Sequence, residues 1–170
     1  MIFKQVDEIL SGQKTQTRRV VKPGEGMYED TLALSESGAV RWAVGKTYAV
    51  VPKRGQPAVW WRNEPWLMGY RPAYTNGPSA KHGAAHKYDR ETYLAADGFR
   101  PLRIRITAIR QERLQDITEA DAKAEGVADV AAYCELWESI NGKTPGARWD
   151  ANPMVWVLTF EVVKEKGAQS

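Results

Sequence analysis

Apolar residues at Phe3, Val6, Ile9 and Leu10 recur at helical spacing, and Ser11-Gly12 supplies a stop, so a short helix opens the chain. Lys14 to Val21 is rich in β-branched residues separated by small polar ones and predicts a strand, broken by Lys22-Pro-Gly-Glu-Gly26. The pattern over 27–43 is weak and fits a hairpin or loop. Thr47 to Val51 predicts a strand after the turn Val44-Gly-Lys46. From Pro52 to Gly98, Pro, Gly, Trp, Tyr and Arg crowd together without a sustained period. This segment predicts a long insertion, about 53–98, with short strands such as Ala58 to Trp61; loops of that length inside a domain are usually functional or mobile.

Regularity returns at Leu102 to Ile109, where Leu102, Ile104, Ile106 and Ala108 are expected to face the core and Arg103, Arg105 and Thr107 the solvent. Thr118 to Glu125 predicts a short helix with Thr118 as its N-cap, Asp121 at the third position and Gly126 as its stop. Val130 to Ile140 repeats the helical period and ends at Asn141-Gly142. Met154 to Val163 is a strand long enough to cross a barrel. Strands separated by short helices, with no βαβ rhythm, imply one α+β domain over 1–170 around a small, mainly antiparallel barrel.

Composition narrows the classes. The chain has 170 residues and a net charge of +3, so it lacks the cationic excess of a nucleic-acid tail. The start has no basic-then-apolar leader pattern, and no apolar run reaches membrane length, which points to a cytoplasmic protein without a membrane partner. One cysteine, Cys134, excludes an internal disulfide. With only His82 and His86 beside it, and Gly83 between them arguing for a loop, no metal or other cofactor is expected.

Three groups of residues could carry chemistry. Ser11 to Arg19 gathers Lys14, Thr15, Thr17, Arg18 and Arg19 at a helix-to-strand turn. A threonine hydroxyl needs a base, and a lysine becomes one when burial or neighbouring cations, here Arg18 and Arg19, destabilise its ammonium. In an extended strand Lys14 and Thr17 point to opposite faces, so Lys14 must sit in the turn and curl back for the two to meet. A basic turn that grips phosphate, or is merely solvated, is the plainer alternative. Glu125 sits at the end of its helix, where the macrodipole disfavours a carboxylate by ~0.3–1 kcal/mol. Such a placement suits a group that gives and takes a proton, or is a tolerated surface residue. The third group is aromatic: Trp60, Trp61, Trp66, Tyr70 and Tyr74 are interleaved with Arg62 and Arg71, a pattern that suits base stacking as well as a local core. Trp137 and Trp156 lie on periodic faces and read as core.

At these residues the sequence resembles the ASCH superfamily. The match runs through Gly12-Gln-Lys-Thr-Gln-Thr-Arg-Arg19, Val44 to Val50, the block Ile104 to Gly126 and the closing strand, and leaves out 53–98. Trp137 to Gly142 and Trp149 to Pro153 are similar to a larger, phage-associated branch. The resemblance implies a PUA-like barrel and, from small bacterial members, metal-independent hydrolysis of N(4)-acetylcytidine by a lysine, a threonine three residues later and a glutamate. Those roles fall on Lys14, Thr17 and Glu125, with Arg19 matching a family arginine. Arg18 departs from the pattern, standing where the small enzymes carry an apolar residue. The expectation is an amidohydrolase acting on an acylated cytidine-type nucleoside, with Trp60 and Trp61 as stacking candidates. The three catalytic candidates should converge, the lysine amine within reach of the threonine hydroxyl. An RNA-binding module or a ribonuclease on the same barrel is the alternative, with RNA as partner.

Overall fold

The computed structural model describes residues 2–3, 5–52, 57–62, 68–72, 99–101 and 103–163, with side chains for 3, 5, 7–50 and 103–163. The chain divides into two compact units, 1–6 with 47–104 and 162–170, and 7–46 with 105–161.

In the first unit, β1 (Ile2–Phe3) runs parallel to β7 (Val51–Pro52). The opening residues therefore form a strand before α1 (Val6–Leu10), and Phe3 is a buried strand residue rather than the first turn of a helix. Thr47–Ala49 forms β6. Strands β8 (Pro57–Arg62), β9 (Met68–Pro72) and β10 (Phe99–Pro101) make an antiparallel sheet in the order β10-β8-β9.

The second unit is built on β2 (Gln16–Val20), β12 (Met154–Val163) and β11 (Arg103–Arg113), with β12 in the middle. Strand β2 is antiparallel to β12, pairing Thr17 with Leu158, Arg18 with Val157 and Arg19 with Trp156. Side chains alternate across a strand, so Gln16, Arg18 and Val20 share one face with Val155 and Val157, while Thr17 and Arg19 share the other with Leu158 and Trp156. Along β11 the expected alternation slips by one residue: Thr107 and Ala108 are both exposed, and Ile109 is buried where Ala108 was expected. An apolar Ile gains more from burial than an Ala, which favours that phase.

Residues 27–43 belong to an antiparallel meander of β3 (Gly26–Tyr28), β4 (Leu32–Leu34) and β5 (Val40–Ala43). Its first turn holds Glu29 and Asp30 in the left-handed region, at φ 49° and 53°, without the glycine that usually marks such a turn. The β4–β5 register slips between Ala33 and Leu34, leaving Arg41 unmatched. The Arg41 guanidinium lies 4.2 Å over the Trp42 ring and pairs with Glu25, whose other oxygen accepts the Trp156 indole N–H at 2.9 Å.

Helix α2 (Glu119–Ala124) begins with the capping box expected of Thr118 and Asp121 and has Glu125 as its C-cap; Gly126 follows at φ 87°, a left-handed conformation that glycine adopts without steric strain. Helix α3 (Val130–Asn141) is N-capped by Asp129 and turns Tyr133 and Trp137 inward, while Ile140, expected on the same face, is 45% exposed. Leu114, Ile117, Ala122, Tyr133, Trp137, Val155 and Val157 form the core between these helices and the sheet, with Val20 packed against it. Buried Trp137 donates its indole N–H to Ala147 O at 2.7 Å, which meets the requirement that a polar atom in the core find a partner. No helix among the described residues is long and apolar enough to cross a membrane.

Candidate active site

Lys14 precedes β2, as its role requires. Its backbone N–H is held by Glu8 O at 2.8 Å, and the next amide, Thr15 N–H, donates to Ala124 O at 2.8 Å. This short backbone link sets the turn against the end of α2, where Glu125 caps the helix. The Lys14 amine donates to Glu125 Oε2 at 2.6 Å and to the Glu125 carbonyl at 2.8 Å. Both residues are buried, at 4% and 2% exposure. Two residues 111 positions apart thus form one buried ion pair.

Burial pushes the Lys14 ammonium below its ordinary value; Glu125 opposes that shift and Arg19 adds to it. Arg18 is not the cation that acts on the lysine directly, contrary to the sequence expectation. It lies on the helix-facing side of β2, fully surrounded by acceptors. Its Nη1 donates to Glu125 Oε1 at 3.2 Å and Gln16 Oε1 at 2.8 Å; its Nε and Nη2 donate to Glu112 Oε1 at 3.2 and 2.6 Å. Asp121 Oδ2 lies 3.3 Å from Nη2, and the Arg18 guanidinium stands 5.8 Å from the Tyr133 ring centre. Burial would lower the Arg18 pKa, but the Glu112 hydrogen bond and the Glu125 charge outweigh it, so this cation is held charged. Arg110 closes the network, bonding Glu112 Oε2 at 2.8 Å and Asp121 Oδ1 at 3.1 Å. Tyr133, pushed well above its ordinary value by burial and by Glu125, stays a neutral phenol.

Thr17 is 3% exposed and lies on the opposite face of β2 from Arg18. Among the described residues its hydroxyl has no hydrogen bond to Lys14 or Glu125. The structure therefore brings Lys14 and Glu125 together and keeps Arg19 within their electrostatic range, but does not form the expected lysine–threonine hydrogen bond. Trp60 and Trp61 have their backbone in β8; their side chains, like His82 and His86, lie outside the described residues. Cys134 is half-buried on α3.

Glu112, Gln16 and Tyr133 were not singled out as site residues in the sequence, and Asp121 only as part of a helix cap. A signal was present: Gln16 and Arg18 alternate onto one face of a strand, as do Arg110 and Glu112 on another, and charges repeated toward a core require partners.

Asp121 gives the network a pH signature. Burial alone would raise its carboxyl, but bonds from Thr118 and the charges of Arg18 and Arg110 bring it below its ordinary value of 3.8. A carboxylate lowered on folding contributes stability that is present above the unfolded value and is lost as pH falls through the folded one. Asp121→Asn is expected to flatten that acid-side loss, measured as the fall of unfolding midpoint between pH 5 and 2; a fall parallel to wild type would contradict it.

No family model matches the chain, and no curated protein matches it. Among solved structures it is similar to the crystal structure of protein EF3133 from Enterococcus faecalis V583, which carries the family model DUF984, at 13% identity and a TM-score of 0.43 over 92% of this chain and 68% of that one.

Proposed function

We propose that the chain is a metal-independent cytoplasmic amidohydrolase on a PUA-like barrel of the ASCH type, removing the acyl group from the exocyclic amine of N(4)-acylated cytidine-type nucleosides. One observation carries the reading: the buried contact of the Lys14 amine with Glu125, 2.6 Å from Oε2. Amide hydrolysis needs a group that takes a proton from water and returns it to the leaving nitrogen. Burial favours the neutral amine that accepts, and the Glu125 carboxylate stabilises the ammonium that forms. An ammonium has three donors; Glu125 takes two, and the third serves the reaction.

On this reading water attacks the acyl carbon as its proton passes to Lys14. Arg19 stabilises the oxyanion of the tetrahedral intermediate. The bond from the acyl carbon to the cytosine N4 breaks as Lys14 returns the proton to N4, leaving the carboxylic acid and the free cytidine. Thr17 positions water or carbonyl through its hydroxyl. The alternative, in which Lys14 deprotonates Thr17 and the threonine attacks the acyl carbon to give an acyl-threonine that water then hydrolyses, is disfavoured because the Lys14 amine bonds Glu125 and not the Thr17 hydroxyl.

The test is release of acetate and cytidine from N(4)-acetylcytidine by the purified chain, before and after chelator treatment. Turnover in both conditions is expected. No turnover of any N(4)-acylated cytidine, together with salt-dependent retardation of RNA, would replace the enzyme with a binding module.

A further inference from the structure

Arg18 touches Glu125 on the oxygen that Lys14 leaves free. Lys14 Nζ holds Oε2 at 2.6 Å, and Arg18 Nη1 holds Oε1 at 3.2 Å. The carboxylate is shared between two buried cations, and Arg18 is itself shared among Glu112, Asp121 and Glu125. We infer that Arg18 is a positioning residue that divides the Glu125 carboxylate between two cations and so sets how tightly Glu125 holds the Lys14 amine. The inference rests on the site proposed above and refines how that site is tuned.

Distances give the division its direction. The Arg18 bond to Glu112 Oε1 is 2.6 Å, against 3.2 Å to Glu125, so Glu112 draws the guanidinium away from Glu125. Glu112 is kept in place by Arg110, and Asp121 by Arg110 and the Thr118 cap. Arg18 thus takes part of the Glu125 charge without removing Glu125 from the lysine. Two opposite consequences follow. Without Arg18, the whole Glu125 charge falls to Lys14, which then holds its proton more firmly. Without the Glu112 charge, Arg18 leans toward Glu125, and Lys14 holds its proton less firmly. The charged and titratable groups facing this pair are Glu8 from α1, Arg19 on β2, Glu112 and Arg110 on β11, Asp121 on α2 and Tyr133 on α3. The signs follow from which charge is removed: a cation beside Glu125 in Arg18→Met, an anion beside Arg18 in Glu112→Gln.

The experiment follows the Lys14 side chain directly by NMR titration of lysine labelled with 13C at Cε in the full chain, the Lys14 signal being assigned with Lys14→Arg. Relative to wild type, the Lys14 midpoint is expected to rise in Arg18→Met and to fall in Glu112→Gln, each by roughly one pH unit, a tenfold change in proton affinity. Arg18→Lys, which keeps the charge, should restore a midpoint near wild type. A merely structural Arg18 predicts no such ordering. Coincident midpoints in wild type, Arg18→Met and Glu112→Gln would overturn the inference, and if Arg18→Met fails to fold, Glu112→Gln decides alone by its sign. The readout needs no substrate. Shifted midpoints in a protein that never cleaves N(4)-acetylcytidine would uphold the tuning and refute the activity; cleavage with unshifted midpoints would do the reverse.

Discussion

Lys14→Met is expected to lower kcat for N(4)-acetylcytidine by about 10²–10⁴-fold, the range of a lost proton-transfer group, in a chain that still folds. The fold should survive because methionine fills the lysine's volume and Glu125 keeps Arg18 as its cation. The pH dependence strengthens the test. Lys14 works in its neutral form, and burial has moved its proton loss below the ordinary 10.5. Wild-type kcat/KM should therefore rise with pH through a value below 10.5, and that limb should vanish in Lys14→Met. Steady-state rates across pH check both. A methionine variant with near-wild-type kcat would remove Lys14 from the chemistry.

Glu125→Gln is expected to be the most destabilising change at the site, by about 3–5 kcal/mol near neutral pH, because it removes the anion between two buried cations. Lys14 is left with a backbone carbonyl and a neutral amide, and Arg18 loses one of its three carboxylates. The loss should depend on pH with a definite sign. Without Glu125, burial is less opposed, and Lys14 is neutral over a wider range. A base whose folded value is lowered weakens the fold most at pH below that value and recovers as pH rises toward the unfolded 10.5. Urea midpoints for Glu125→Gln should thus approach wild type from neutral pH toward pH 9. A constant gap across that range would mean that Lys14 does not lose its proton in the folded variant.

Much of the frame was legible in the sequence. The strand Met154 to Val163, the capped helix after Thr118 and the helix from Val130 each rest on local signals: alternation, a cap residue, a stop glycine. The meander over 26–43 was not legible, because its first turn uses left-handed Glu29 and Asp30 and its register slips at Arg41. Ala108 was misplaced for a related reason: a one-residue slip inside β11 leaves no trace in a pattern of apolar and polar letters.

The candidate site divides in the same way. Local sequence determined that Glu125 ends a helix, since Gly126 stops it, whereas the strand pattern begins at Lys14 and only a meeting with Thr17 requires the lysine to sit in the turn. Strand alternation already turned Thr17 away from Arg18, but tertiary structure alone decided that Lys14 and Glu125 meet and that Arg18 joins Glu112, Asp121 and Glu125. The reason is physical. A charge placed toward a core must find its opposite wherever the fold brings one, and the carboxylates that hold Lys14 and Arg18 lie 94 to 111 positions away, at distances no local pattern encodes.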